Sequence, residues 1–475
     1  MTRPTILAAA LLALPAAAAA QATATAPVLG PAPRLVMPKV QQAALPNGLK
    51  LLVVTRTEVP LVQATLLIEG GARLDGDRPG LATFTGGMLD EGAGGRDAFA
   101  LAAELEYLGA TLVTGASWDA FTIGLDAPAR TFPAALDLMA DVVLRPAFAA
   151  ADVARQRDLR LAAILQGRDR PEAVAQVVFG RRVFPAGHPY HHPLTGDSLT
   201  TTALDSAMVR DFWTRAADPR RATLIVVGDL TLAQARQLAA LRFGGWKVPA
   251  APIPLRAAAA TPAPPRPATN LVLVDKPGAA QSVILIGAPG VPRTSPDYPA
   301  ITLMNTILGG SFSARLNDIL REQKGFTYGA NSRFQWRPLP GPFTAGASVR
   351  TDVTDSSLAI FFQEFERIRR EPVGDDELAR GKNYVVLGTL GDFETNAQVA
   401  GALAQLGVFG LPLETIPRDL AAVERLTAAD VQRAARQYLD PAALTVVVVG
   451  DLARVRPGIE ALRLGPMRVV DVEGR

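Results

Sequence analysis

An internal repeat limits the folds that this chain can adopt. Residues 204–230 and 426–452 align without a gap, at a constant offset of 222 residues. Each copy reads as a helix, an Asp-Pro turn (Asp218-Pro219 and Asp440-Pro441), a β-branched strand and a Gly-Asp exit. Solenoid repeats have periods of roughly 20–50 residues, so this offset is far too long for a solenoid. It predicts two homologous domains of about 200 residues each.

Local patterns place the elements and limits of these domains. Apolar residues at helical spacing predict helices, and β-branched runs bounded by turn residues predict strands. The predicted strands are 49–55, 61–69, two within 111–125, and 223–227, and the predicted helices are 97–108, 132–144, 150–167, 207–215 and 232–241. Residues 249–269 are rich in Pro and Ala and read as a linker. We therefore expect an N-terminal domain over 41–248 and a C-terminal domain over 270–475.

The first residues read as a secretory signal. Arg3 supplies a charge, Ile6–Ala20 is a short apolar run, and Ala18–Ala20 suits cleavage by a signal peptidase. Residues 1–20 are predicted to be a signal peptide and 21–40 a flexible arm, so the mature chain is expected in the periplasm. A signal that is retained as an anchor is the alternative. No later stretch is long and apolar enough to read as a membrane span.

Composition excludes several classes of function. Lys plus Arg is 48 and Asp plus Glu is 45, a net charge of +3, and no basic stripe stands out. Nucleic-acid binding therefore has no support. The chain has no Cys, which excludes a disulfide framework, a thiolate metal site and a Cys nucleophile.

The segment Gly80–Gly92 reads GLATFTGGMLDEG. Apolar residues at helical spacing follow Pro79, which predicts that a helix begins here. Gly86 and Gly87 would then lie inside the helix, although each Gly costs about 1 kcal/mol relative to Ala in a helix interior. Two adjacent glycines at such positions are unusual unless larger residues once stood there.

This segment resembles the zinc site of the pitrilysin/insulinase family of metallopeptidases, the inverzincins. Active members carry His-x-x-Glu-His here, with two zinc ligands and a general base. On this alignment the first His falls at Thr83, the Glu at Gly86 and the second His at Gly87, and a third ligand on a later helix falls at Ala163. None of these four residues can bind zinc as a His or Glu does, or act as a general base. The resemblance therefore implies that this chain binds no zinc.

The resemblance also implies the fold class. Family members are α+β proteins with two homologous domains, each a mainly antiparallel β-sheet covered by α-helices. The similarity spans nearly the whole mature chain, because the internal repeat and both motif segments take part in it.

A segment of the second domain, Leu308–Phe334, resembles the family's substrate-binding segment. In the family an Arg and a Tyr seven residues later point into the catalytic chamber, and here they are Arg321 and Tyr328. A Tyr hydroxyl can donate to an oxyanion, and an Arg can hold a substrate carbonyl. The alternative is a surface Arg beside Glu322 and a half-buried strand aromatic.

The residues before this pair are predicted to take part in substrate binding. They form a predicted mobile turn that leads into a short helix over 314–323, which ends at Gly325. The residues of the turn are Gly309, Gly310 and Ser311.

Two further features have structural interpretations. His188, His191 and His192 lie between prolines in GHPYHHPLTG, so no regular spacing aims the rings at one metal ion. We interpret this stretch as a structural loop. Trp118 and Phe121 lie on a stretch that active relatives use as an exposed substrate-binding strand, and these bulky residues could modify or block that edge. The favoured alternative is a Trp that faces the core.

Some bacterial members of the family are heterodimers, in which one chain keeps the zinc motif and the other keeps the Arg/Tyr pair. This chain resembles the second kind. It is expected to lack cofactors, to be inactive alone, and to bind peptides together with a homologous, zinc-bearing partner. The alternative is a non-enzymatic scaffold or assembly subunit. An independently active zinc peptidase is disfavoured, since all four site positions are lost.

Overall fold

The computed structural model describes residues 34–255 and 268–475. Val36–Arg475 form one compact unit. The predicted signal peptide lies outside the described residues, and the predicted arm and linker are described only in part. None of the described helices is long and apolar enough to cross a membrane.

The first half contains a six-stranded sheet and a two-stranded one among the described residues. Its strands are β1 (Gln41–Ala44), β2 (Lys50–Thr55), β3 (Leu61–Glu69), β4 (Gly92–Ala93), β5 (Arg96–Asp97), β6 (Thr111–Ala116), β7 (Ala120–Pro128) and β8 (Ala222–Gly228). Its helices are α1 (Leu81–Gly86), α2 (Ala98–Tyr107), α3 (Phe132–Leu144), α4 (Ala150–Gly167), α5 (Pro171–Val183), α6 (Ser198–Thr202), α7 (Ser206–Ala216) and α8 (Leu232–Phe243).

The second half repeats this plan. Its strands are β9 (Asn270–Asp275), β10 (Gln281–Pro289), β11 (Thr327–Phe334), β12 (Pro342–Arg350), β13 (Thr445–Gly450) and β14 (Met467–Val470). Its helices are α9 (Tyr298–Asn305), α10 (Arg315–Asn317), α11 (Thr354–Arg370), α12 (Asp375–Gly391), α13 (Asn396–Phe409), α14 (Thr415–Arg425), α15 (Ala428–Tyr438) and α16 (Leu452–Ala461). Two π-helical segments, Thr306–Gly310 and Asp318–Gln323, follow α9 and α10.

The strand orders confirm the α+β duplication. The first sheet runs β1-β2-β8-β3-β7-β6, and the second, read from the equivalent edge, runs β14-β9-β13-β10-β12-β11. In both sheets the repeated strand, β8 or β13, is parallel to one neighbour, β2 or β9, and antiparallel to the other, β3 or β10. The strands further along that side, β7 and β6 or β12 and β11, are antiparallel as well. Only the outermost strand differs, because β1 is antiparallel to β2 and β14 is parallel to β9.

The repeated Asp-Pro turns have the same local geometry, which explains why the sequence repeat is so clear there. The Asp218 carboxylate accepts a hydrogen bond from the Arg220 backbone N–H at 3.0 Å. The Asp440 carboxylate accepts one from the Ala442 N–H at 3.1 Å. Each Asp thereby orders a short 3₁₀ turn that leads into β8 or β13.

Each half covers the other half's sheet with one helix. Helix α5 packs Val178 and Phe179 against β10 and β13 of the second sheet, in a separate apolar cluster. Helix α13 packs Val399 and Leu403 against β3 and β8 of the first sheet in the same way. The predicted domain limits stay a prediction, since this exchange of helices joins both halves into one compact unit.

Candidate functional site

Helix α1 is shorter than the sequence predicts. It ends at Gly86, and Gly87 is its C-terminal cap, so only one of the two glycines lies in the helix. The Asp75 carboxylate accepts the backbone N–H groups of Gly80 and Ala82 at 2.8 and 2.7 Å. A side chain from outside the helix thus satisfies donors that helix termini leave free.

The two glycines stand in different surroundings. A Cβ on Gly86 would lie 2.7 Å from the Gly115 carbonyl carbon and 2.8 Å from the Ala116 nitrogen, both backbone atoms of β6. A Cβ on Gly87 would meet nothing closer than 3.5 Å. The edge strand β6 therefore closes on α1 where active relatives carry the general base, while the second His position is exposed and has room for a side chain.

Arg160 fills the place beside the first His position. Its Nη1 donates to the Gly80 carbonyl at 3.0 Å and to the Thr83 hydroxyl at 3.1 Å, and its guanidinium lies 5.0 Å from the Phe84 ring centroid. Burial lowers the pKa of Arg160 to about 10. Burial also raises the pKa of Asp75 to about 7, and the charge of Arg160 works against that rise.

Zinc does not fit this arrangement. The family's ligand positions, Thr83, Gly87 and Ala163, offer no imidazole or carboxylate, and a guanidinium that stays charged repels a second cation at the same place. Within 34–255 and 268–475, no group of three or more His, Cys, Asp or Glu residues could hold a metal ion. Sequence reasoning missed Arg160, although it lies on α4 one helical turn before Ala163 and interrupts an otherwise apolar stretch.

A cavity of about 520 Å³ lies between α1, α4 and α5, where the missing ligands would have projected. Gly87 and Ala163 both line it. Its lining is mainly apolar and includes four arginines. The loss of the ligands has left a space that side chains of this chain do not fill.

The three histidines make local contacts, within their own loop and with Phe184 just before it. The His188 ring stacks on Phe184 with centroids 4.7 Å apart, and its Nδ1 accepts the Tyr190 backbone N–H at 3.1 Å. Burial lowers the pKa of His188 to about 4. His191 Nδ1 lies 2.7 Å from the Phe184 carbonyl oxygen. These contacts agree with a structural loop.

Trp118 and Phe121 do not obstruct the edge of β6. Phe121 is fully buried in the core of the first half. The Trp118 ring packs edge-on against Tyr190 at 5.3 Å and lies 4.7 Å from the Arg337 guanidinium of the second half. The favoured expectation of a core-facing Trp is met in part, because Trp118 is half-buried against the apolar cluster between α5 and the second sheet, where it joins the two halves.

Arg321 and Tyr328 both lie at the surface of the second half. Arg321 lies in the π-helical segment after α10, with its guanidinium 4.6 Å from the Phe312 ring centroid and 3.4 Å from the Glu322 carboxylate. Tyr328 is 92 % exposed at the start of β11, the edge strand of its sheet. The predicted short helix over 314–323 is present from Arg315 to Gln323, but only the three residues of α10 are α-helical and the rest is π-helical.

In the turn predicted at Gly309 to Ser311, the two glycines end a π-helical segment and Ser311 follows it in an extended conformation. Gly309 is buried, and a Cβ there would lie 2.6 Å from the Ser332 nitrogen on β11. Gly310 is exposed, and the Ser311 hydroxyl donates to the Thr306 carbonyl at 3.2 Å. A role of these residues in substrate binding stays a prediction, as does that of Arg321 and Tyr328.

Asparagines occupy part of the free edge beside Tyr328. The Asn317 Oδ1 accepts the Ala330 N–H at 3.2 Å, and the Asn305 Nδ2 donates to the Ser332 carbonyl at 3.1 Å. Side chains thus pair backbone groups that an edge strand otherwise leaves open.

Comparisons with known proteins agree with this architecture. The family model described as insulinase (peptidase family M16) matches residues 51–181, and the model described as peptidase M16 inactive domain matches residues 203–385. An uncharacterized zinc protease of Streptomyces coelicolor is 24 % identical over 84 % of this chain and 87 % of its own length. One of Mycobacterium tuberculosis is 24 % identical over 84 % of this chain and 90 % of its own.

Solved structures show the same fold. A peptidase M16 inactive domain from Pseudomonas fluorescens superposes with a TM-score of 0.79 at 27 % identity, over 86 % of this chain and 98 % of its own. A protease from Helicobacter pylori superposes with a TM-score of 0.80 at 18 % identity, over 87 % of this chain and all of its own. The two family models together span most of both sheets, and the zinc-ligand positions within the first match hold other residues. The chain therefore belongs to the insulinase (M16) family of peptidases, as a peptidase-like member without the family's zinc ligands.

Proposed function

We propose that this chain is the zinc-free subunit of a periplasmic zinc peptidase pair. A homologous chain holds the zinc, and this chain supplies Arg321 and Tyr328 to the shared site. The observation that carries the proposal is the contrast between the two halves. Arg160 stands beside the lost ligand positions of the first half, while the second half presents Tyr328 almost fully exposed.

The chemistry of the pair suits the wall of a shared site. Among the described residues no hydrogen bond involves the Tyr328 hydroxyl, so it is available to donate to the oxyanion of a tetrahedral intermediate. The Arg321 guanidinium, which is only half-buried, keeps donors for a substrate carbonyl. Zinc in the partner chain supplies the activated water. Neither chain then hydrolyses peptides alone, and a subunit interface must hold the two walls in register.

The proposed location rests on the sequence. Residues 1–20 have the pattern of a signal peptide, and the absence of Cys suits a periplasmic chain. Fractionation of cells that express the tagged full chain tests this location, and recovery in the cytoplasm would contradict it.

The test of the shared site is reconstitution with a homologous subunit that carries His-x-x-Glu-His. Tyr328→Phe is expected to lower kcat by about 10²–10³-fold, the range measured for loss of one oxyanion donor. Arg321→Ala is expected to raise KM as well, because it removes substrate binding. Tyr107→Phe and Arg370→Ala, at exposed positions elsewhere, are the matched controls and should leave hydrolysis unchanged.

Two results would contradict the proposal. If the pair hydrolyses peptides equally well with Tyr328→Phe and Arg321→Ala, the shared site is wrong and the scaffold alternative is favoured. If the purified single chain carries stoichiometric zinc by metal analysis, the zinc-free assignment is wrong.

A further inference from the structure

Helix α4 buries little of its apolar face. Val153 is its only buried residue among the eighteen, all of which the structure describes. Leu159, Ala163, Ile164 and Gly167 recur at helical spacing and line the cavity beside α1 and α5. An amphipathic helix gains most of its stability by packing such a face. Here the face meets empty volume, which suggests that something else fills it.

The cavity walls favour an aliphatic occupant. Phe84 from α1, Met88 just beyond the end of α1, and Val174 and Val177 from α5 complete a mainly apolar lining, and the volume of about 520 Å³ is typical of small-molecule sites. Three of its walls are helices, whose interior backbone groups are already paired, and non-helical residues within 193–197 and 472–473 complete the lining. Against the helical walls a peptide would find few partners for its own N–H and C=O groups, which is costly in apolar surroundings. An unbranched hydrocarbon chain carries no such groups.

The charged part of the cavity lining, here called its mouth, favours a negative charge. Arg168, Arg170 and Arg181 line it, against the acidic Asp197 and Glu473. Arg181 and Asp197 are 3.9 Å apart, and Arg168 pairs with the Glu473 carboxylate.

The C-terminal segment of this chain already places an apolar side chain and a carboxylate beside these arginines. Val472, next to Glu473, lines the cavity and packs on the apolar cluster between α5 and the second sheet. The Glu473 backbone carbonyl accepts a hydrogen bond from Arg181, and the Gly474 carbonyl accepts one from Arg182 at 2.7 Å. An apolar group beside a carboxylate thus already occupies the rim.

We propose that this cavity binds a medium-chain fatty acid. The hydrocarbon chain lies between α1, α4 and α5, and the carboxylate pairs with Arg168 and Arg170 at the mouth, where it competes with Glu473. The site is separate from Arg321 and Tyr328, so it does not depend on the proposed peptidase role.

The experiment is isothermal titration of the full single chain with dodecanoate below its micelle concentration. One molecule is expected to bind per chain. Ala163→Leu places a side chain in the cavity and is expected to weaken binding by about tenfold or more, a change of about 1.4 kcal/mol. Ala162→Leu is the matched control, because Ala162 is exposed on the same helix and does not line the cavity.

The charge at the mouth is tested separately. Arg168→Gln should weaken dodecanoate several-fold and leave dodecanol, which has no charge, unchanged. Glu473→Gln should strengthen dodecanoate, since it frees Arg168. Circular dichroism of each variant establishes that it is folded.

Three outcomes would overturn the inference. The first is no saturable binding of dodecanoate. The second is equal binding by the Ala162→Leu and Ala163→Leu proteins. The third is tighter binding of an acetylated, amidated apolar peptide than of dodecanoate. None of these outcomes bears on hydrolysis by a reconstituted pair, so the two proposals can fail independently.

Discussion

Gly86 and Gly87 are adjacent in sequence, yet the structure predicts opposite responses to the same substitution. Ala at position 86 would place its Cβ 2.7 and 2.8 Å from backbone atoms of β6, where ordinary contact begins at 3.4 Å. Ala in a helix is favoured over Gly by about 1 kcal/mol. Overpacking costs about 1–3 kcal/mol and lies at the upper end when the obstacle is backbone. Gly86→Ala should therefore destabilise the chain by about 1–2 kcal/mol.

Gly87→Ala is the matched control. Gly87 has φ −78° and ψ −5°, which any residue adopts, and its added Cβ would meet only ordinary contacts. Loss of freedom in the unfolded chain should stabilise this variant by about 0.4–1 kcal/mol. The two variants should therefore differ by about 2 kcal/mol, although each adds one methyl group to the same turn.

Urea unfolding of the full chain, followed by circular dichroism and tryptophan fluorescence together, measures this difference. Coincident transitions by the two probes are needed before midpoints are read as free energies. If Gly86→Ala is as stable as Gly87→Ala, then β6 does not close on α1, and steric exclusion by β6 does not explain the loss of the base position.

Four further predictions address the charges and the packing of the two halves. A chain with Thr83→His, Gly87→His and Ala163→Glu should bind zinc, as measured by metal analysis, only when Arg160→Ala is added, because the Arg160 guanidinium repels the ion. Burial raises the pKa of Asp75 from 3.8 to about 7, so the folded chain keeps a proton that the unfolded chain releases. Stability from this group is lost as pH rises through that window, and Asp75→Asn should flatten the pH dependence of thermal unfolding. Arg293→Ala breaks a buried pair with Asp419 at 2.7 Å and should cost about 3–5 kcal/mol in urea unfolding. Leu403→Ala, in the fully buried contact of α13 with the first sheet, should cost about 2–5 kcal/mol by the same measurement.

The duplication was predictable because its evidence is local. The Asp-Pro turn, the strand after it and the Gly-Asp exit depend on neighbouring residues, so Asp218 and Asp440 mark the same place in both halves. The bounds of α3 and α4 agree with the sequence pattern to the residue. Turn residues and apolar spacing determine such elements without knowledge of the rest of the fold.

Features that depend on distant contacts were not predictable. Nothing local indicates that Gly86 faces the backbone of β6, or that Arg160 reaches Thr83 across 77 residues. The sequence pattern could predict that α5 and α13 each have an apolar face, but it could not predict which sheet each face covers. The π-helical turns that contain Gly309 and Arg321 were not predictable either, and the first of them packs Gly309 against β11, which is distant in sequence.

The exchange of α5 and α13 has a consequence for how this molecule can be divided. A chain cut within 256–267 would give two fragments. Each would expose an apolar sheet face and would carry one apolar helix that has lost the sheet on which it packs. Either fragment alone is expected to aggregate or to pair with a second copy of itself, while the two together should reassemble. Genetic separation of the halves would thus behave as fragment complementation and not as the isolation of two independent modules.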